Sequence, residues 1–300
     1  MSQTTSEETS PQTTARPETS SLTLASPAKL NLFLHITSQR DDGYHNLQTI
    51  FQLIDLYDYL TFDTGHTDIV VSQIDQVNPE DNIVYKAAWL LKQHTGYGGG
   101  CHIRIDKHIP MGAGLGGGSS NAATTLLALN QLWHTGLNLQ QLAELGRQLG
   151  ADVPIFVFGQ NAWAEGVGEQ LTAVKLADAA YIVLKPDCFI STKKLFSQES
   201  LTRNATETTF AAYQHCPAEF GNNFEPVATN LYPEVAEALA YLKQFGLAKL
   251  TGTGACVFLQ LQSLEDKAKI INNAPCTAYF CNSLQTSPVH QQLGLQITGL

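Results

Sequence analysis

The chain has 300 residues, 43% of them hydrophobic, with a mean hydropathy of -0.09 and a formal net charge of -10. That is enough for two domains or one large one, and the acidic balance argues against general nucleic-acid binding or attachment to an anionic membrane surface. No window approaches the roughly 18 apolar residues of a membrane span, and the six cysteines, without a C-x-x-C pair or Cys/His ligand spacing, read as reduced thiols.

Residues 1–26 are rich in Ser, Thr, Gln and Glu, with almost no large apolar side chain before Leu22, so a disordered tail is expected. It carries Glu7, Glu8 and Glu18 against Arg16, unlike a transit peptide, and holds no secretory apolar region. The expected compartment is a bacterial-type cytoplasm. Order is expected from Pro27. Leu30, Leu32, Leu34 and Ile36 repeat at period two, a strand that puts Lys29 and Asn31 together on its other face. Arg40 to His45 has turn composition, and Gln48 to Phe62 returns as one or two strands. Asp81 or Asn82 caps a helix that turns Ile83, Val84, Ala87, Ala88 and Leu91 inward and ends at Gly96.

Cys101 to Asp106 alternates as a half-buried strand does. Then come five glycines within seven residues, Gly112 to Gly118, followed by Ser119, Ser120 and a helix lined by Ala122, Ala123, Leu126, Leu127, Leu129 and Trp133 that ends near Gly136. Strand, glycine loop and helix form an arrangement in which backbone N–H groups close around an anion. The natural ligand is phosphate. A third helix covers about Asn138 to Leu149, closed by Gly150, and Pro154–Phe158 and Tyr181–Lys185 read as strands.

A further helix begins around Pro233. Leu250-Thr-Gly-Thr-Gly-Ala255 leads into a strand from Cys256 to Gln260, Ser263 and Asp266 resemble a capping box, and Thr277 to Asn282 is another strand. Helices and strands alternating in both halves indicate an α+β architecture. The expected division is a tail at 1–26, an N-terminal domain at 27–180 with the glycine loop, and a C-terminal domain at 181–300 contributing to a substrate site.

Gly112 to Gly117 satisfies G-x-G-x-x-G, but the acidic residue of a dinucleotide-binding unit, about 20 positions on, is missing; the first carboxylate after the loop is Glu144, on another expected helix. No lysine follows the glycines, which excludes a Walker A loop. With Pro27-Ala-Lys-Leu-Asn-Leu32 before the loop and Thr251-Gly-Thr-Gly-Ala255 after it, the chain resembles the GHMP kinase superfamily, whose three motifs occur in this order. Asp42-Gly-Tyr-His45, Leu149-Gly-Ala-Asp-Val-Pro154 and Ala164-Glu-Gly-Val-Gly168 narrow the resemblance to members that phosphorylate a cytidine diphosphate-linked methylerythritol on the methylerythritol phosphate route to isoprenoids.

The resemblance implies a two-domain GHMP kinase fold, ribosomal-protein-S5-domain-2-like at the N-terminus and ferredoxin-like at the C-terminus. It also implies transfer of the γ-phosphoryl group of ATP to the 2-hydroxyl of the erythritol moiety, with Mg²⁺ bridging the phosphates. Lys29 and Asp152 would be catalytic, Asp152 as the base. Pro110, Met111, Gly112, Ala113, Gly114, Leu115, Gly116, Gly117, Gly118, Ser119 and Ser120 would hold the phosphates, with Lys107 and Asn82 as further ATP contacts and a serine hydroxyl, Ser119 or Ser120, on the metal. Asn31, Tyr44, His45, Phe51, Thr192, Phe196, Thr251 and Gly252 would bind the acceptor, Tyr44 and Phe196 as aromatic walls for the base. Only small-molecule partners are expected, with no nucleic acid and no membrane, for a monomer or weak dimer. The competing readings are a GHMP kinase acting on a mevalonate- or homoserine-type substrate, a silent nucleotide-binding member, and an NAD-binding protein.

Overall fold

In the computed structural model, which describes residues 21–72, 78 and 81–296, the alternation around Leu30 belongs to a longer strand, β1 (Ser21–Gln39). It pairs antiparallel with β2 (His45–His66) across a turn in which Gly43 takes a φ of 84°. Leu22 and Leu24 pair with Phe62 and Leu60, so residues 21–26 of the expected tail are strand. Residues 1–20 lie outside the described residues. Gln48 to Phe62 falls within one strand, and its buried residues change phase along it. The register jumps between Pro27, opposite Tyr57, and Ala28, opposite Ile54. That irregularity brings Phe51 and Leu53 into the same core as Leu60 and Phe62.

The other edge of β2 holds β4 (Gly100–Asp106), with β3 (Ile69–Val71) parallel to it, while β5 (Ala162–Glu165) and β6 (Gln170–Ala173) extend the sheet near Phe51. Helices α1 (Ile83–Thr95), α2 (Gly117–Leu132), α3 (Leu139–Leu149) and α4 (Val153–Phe158) share one core with this sheet. Asn82, rather than Asp81, caps α1: its side chain accepts from the Val84 N–H at 2.9 Å. The expected strand at 154–158 is a helix. All six residues of α4 are buried, and a short run without an exposed position has no periodicity to separate strand from helix.

The second sheet runs β10 (Thr277–Leu284), β7 (Ala180–Lys185), β9 (Val257–Leu261), β8 (Ala248–Leu250), all antiparallel. After α5 (Thr192–Phe196) and α6 (Phe210–His215), Val227 of α7 (Glu225–Leu231), Val235 and Leu239 of α8 (Pro233–Lys243) and Ile270 of α9 (Lys267–Asn272) belong to its core. The expected capping box is not formed: Ser263 Oγ accepts from the Glu265 N–H, and Asp266, at the N-cap of α9, makes no side-chain cap. Ser283 and Leu284 pair with Ile54 and Leu53 of β2, and Val289 of α10 (Pro288–Gln292) enters the first core. The chain therefore returns to the first half, and 180/181 does not cut it cleanly. The cysteines are free thiols, and no helix among the described residues is long and apolar enough to cross a membrane.

A buried carboxylate ties the glycine loop to β2. Asp58, fully buried, accepts the His108 and Ile109 N–H groups at 2.8 Å each on Oδ1, and the Asn121 amide at 2.8 Å and Lys107 Nζ at 2.9 Å on Oδ2. It thereby joins β2, the approach to the loop, and α2. Removing it leaves donors without an acceptor. Asp58→Ala is expected to lower the unfolding free energy in urea by roughly 3 kcal/mol, and Asp58→Asn by less, because an amide oxygen still accepts. An unchanged midpoint in Asp58→Ala would overturn the assignment.

Candidate active site

The helix that follows the glycines opens without a cap. Gly116, at the N-cap of α2, has a φ of 73° and no side chain, and the first intrahelical bond there is Ser120 N–H to Gly116 O. The N–H groups of the first turn therefore have no intrahelical acceptor. They face a cavity of about 690 Å³ lined by Pro110 to Gly114, Gly116 to Ser119, Lys107 and Asn82. A Cβ at Gly116 would lie 2.9 Å from the Phe156 ring and 3.2 Å from Lys29 Cε. Only glycine permits both this backbone angle and this approach. Leu115 is buried instead in the core, where its carbonyl accepts the Lys29 N–H at 3.0 Å.

Lys29 stands on β1 with its ammonium 2% exposed. Nζ donates to Asn31 Oδ1 at 2.6 Å and to Gly114 O at 3.0 Å, and lies 3.4 Å from Asp152 Oδ2. The Asn31 amide is oriented from behind. Its Nδ2 donates to Thr49 Oγ1 at 2.9 Å, and that hydroxyl gives its own proton to Phe33 O. Asp152 occupies the N-cap position of α4, yet its side chain caps nothing. The carboxylate is left to Lys29 and the cavities, at 38% exposure. Ser119 Oγ lies beside the same turn, 3.8 Å from where a Cβ on Gly150 would stand.

Asp152 and Ser119 also line a second cavity of about 560 Å³, reached by Asn31, Tyr44, His45, Phe51, Thr192, Phe196 and Gly252. His45 and Phe196, on α5 (Thr192–Phe196), stack with centroids 4.8 Å apart, and Phe224 meets Phe196 edge-on at 4.9 Å. His45 Nε2 is buried without a hydrogen-bond partner among the described residues. Partial burial, and then the Arg203 guanidinium, lower the His45 pKa from 6.5, which keeps the imidazole neutral at pH 7. Tyr44 is 65% exposed at the rim.

Two further expected contacts lie behind the site. Ser120 is fully buried with its hydroxyl 2.7 Å from Ser26 Oγ, so of the two serines only Ser119 faces the cavities. Thr251 is also buried: its Oγ1 accepts the Asn31 N–H at 3.0 Å and donates to Gly114 O, supporting the site without lining it. The sequence reading missed Phe224 and Lys193, which line the cavities, and Asp58 and Asn222, which do not. Asn222 Nδ2 donates to Leu250 O and Gly252 O, holding the 250–254 loop. None of these four belongs to a local pattern that signals its place.

Residues 82–160 match the family profile described as GHMP kinases N terminal domain, and residues 210–279 match GHMP kinases C terminal. The chain is 61% identical over 270 residues to the 4-diphosphocytidyl-2-C-methyl-D-erythritol kinase of Acinetobacter baylyi, covering 89% of this chain and 96% of that protein. A crystal structure of 4-(cytidine 5'-diphospho)-2C-methyl-D-erythritol kinase superposes with a TM-score of 0.77 at 30% identity, over 87% of this chain and 99% of that one. A mevalonate kinase structure, at a TM-score of 0.64 and 17% identity over 87% of this chain and 99% of its own, shares the fold. The chain belongs to the GHMP kinase family and, within it, to the 4-diphosphocytidyl-2-C-methyl-D-erythritol kinases.

Proposed function

We propose that this chain transfers the γ-phosphoryl group of ATP to the 2-hydroxyl of 4-diphosphocytidyl-2-C-methyl-D-erythritol, a step in isoprenoid precursor synthesis. The observation that carries the reading is the Lys29–Asp152 pair at 3.4 Å, with Asp152 lining both the glycine-loop cavity and the aromatic one. Phosphoryl transfer asks mainly for positioning and charge stabilisation. The α2 N-terminus and the loop N–H groups hold the triphosphate of ATP. Asp152 takes the proton of the acceptor hydroxyl, and the Lys29 ammonium stabilises charge on the transferring group. Tyr44 and Phe196 flank the cytosine, and the unpartnered Nε2 of His45 meets its edge.

Mg²⁺ fits the oxygen donors at the junction. The described residues contain no cluster of three or more His, Cys, Asp or Glu able to hold a metal, so phosphate oxygens would supply most ligands, with the Ser119 hydroxyl as the protein's contribution. When bound, the ion neutralises phosphate charge.

Asp152→Asn is expected to lower kcat by roughly 10²–10⁴-fold, with the Kd for ATP little changed, in a coupled assay of ADP release. Near-wild-type turnover would remove Asp152 as the base. Lys29→Ala is expected to act on kcat in the same sense. Replacing cytidine by uridine in the acceptor inverts donor and acceptor on the base edge, and should cost about tenfold or more in kcat/KM. Equal values would remove the base-reading role of the aromatic cavity. Because the His45 pKa is lowered, the midpoint of its protonation lies below 6.5. The ratio of acceptor KM in His45→Gln to that in wild type should therefore change with pH along a titration whose midpoint lies below 6.5. A midpoint above 6.5 would contradict a neutral imidazole.

A further inference from the structure

The proposed reaction sets two polyanions side by side in a protein that itself carries a net charge of -10. A triphosphate in the glycine-loop cavity and a diphosphate in the aromatic cavity meet at the residues common to both, Gly114, Ser119, Asp152, Thr192, Lys193 and Thr253. One of these is a carboxylate and one a cation. The other lysines at the cavities already have aspartate partners: Lys29 lies against Asp152 and Lys107 against Asp58. Lys193 makes no ion pair or side-chain hydrogen bond among the described residues.

Its backbone is fixed on both sides. Thr192 Oγ1 is hydrogen-bonded to Thr253 Oγ1 at 3.0 Å, which pins the start of α5 to the 250–254 loop, and Phe196 at its end stacks on His45. Lys194 points elsewhere, with Nζ 5.4 Å from the centroid of the Tyr232 ring, and lines neither cavity. The turn thus presents one exposed ammonium between the two anion sites. No aspartate there has to be displaced first.

We propose that Lys193 bridges the donor triphosphate and the acceptor diphosphate, offsetting their mutual repulsion and so coupling the binding of the two substrates. This rests on the phosphotransfer reading above. A cation between two anions acts most strongly when both are present. Its loss therefore appears chiefly as antagonism between the ligands, and linkage requires that antagonism to be reciprocal. Because Lys193 is exposed, the coupling is screened by salt.

The test is a binding cycle on the full chain with Mg²⁺, using the β,γ-imido analogue of ATP and the cytidyl methylerythritol acceptor, by calorimetry. In wild type, saturating acceptor should leave the Kd of the analogue unchanged or tighten it. In Lys193→Met, the analogue alone should bind within about threefold of wild type, but saturating acceptor should weaken it by about tenfold. Lys193→Arg should restore the wild-type ratio, Lys194→Met should match wild type, and the antagonism should shrink at high salt. A Lys193→Met ratio equal to wild type, or the same shift in Lys194→Met, would overturn the bridge. A failure of the phosphotransfer reading would show differently, as a wild-type protein that neither binds nor phosphorylates the acceptor.

Discussion

A lysine ammonium with 2% exposure is tolerated only when its protons find acceptors and its charge finds a counter-charge. Lys29 has three N–H bonds, and the fold brings it three acceptors from three places: Asn31 on the same strand, the Gly114 carbonyl of the loop, and Asp152 at the start of α4. Much of the local structure follows from that requirement. Turning the Gly114 carbonyl toward β1 goes with a φ of 77° at that residue, and Gly116 must lack a Cβ because Lys29 Cε already lies where one would press. Of the three contacts, the one to Asp152 is the longest, at 3.4 Å, and its carboxylate side chain is 38% exposed. It can therefore change during a proton transfer while the other two keep the ammonium in place.

The strand that carries Lys29 also joins the two halves. Beyond Asn31 the ladder to β2 is irregular as far as Leu34, which exchanges backbone bonds with Gly221 and Asn223 at 3.0 and 2.9 Å. The Asn223 side chain accepts the Ile36 N–H, and Asn222 holds the carbonyls of Leu250 and Gly252. The same strand thus orients the Lys29 ammonium and, through 221–223, the loop that bears Gly252 and Thr253. A β-bulge serves this kind of re-aiming.

What could be read from the sequence was local. The glycine loop, the strand face shared by Lys29 and Asn31, and a helix cap at Asp81 or Asn82 each occupy a few consecutive residues whose spacing carries the geometry. Ser120 was legible too: Ala123 and Leu127, three and seven positions on, already marked the inward face of α2, and Ser120 stands on it. Thr251 was less so, because a residue ahead of two glycines has no period to place it. Asp58 was beyond reach, since its donors at 107–109 and 121 lie some 50 residues away or more, and nothing near Asp58 marks the contact. Phe224 was invisible for the same reason, and Pro154–Phe158 misled because complete burial erases the pattern that separates helix from strand.

The electrostatics of the cradle follow from how its lysines are spent. With Lys29 set against Asp152 and Lys107 against Asp58, two of the three lysines at the cavities are balanced by carboxylates before any ligand arrives. Net positive charge therefore contributes little to holding a polyphosphate here. The attraction falls to backbone dipoles, the uncapped first turn of α2 and the loop N–H groups, which are short-ranged and directional. Such a site favours an anion that fits the cradle over one that is merely highly charged. It can do so inside an acidic protein because those dipoles act at contact distance, where the far field of the surface is screened.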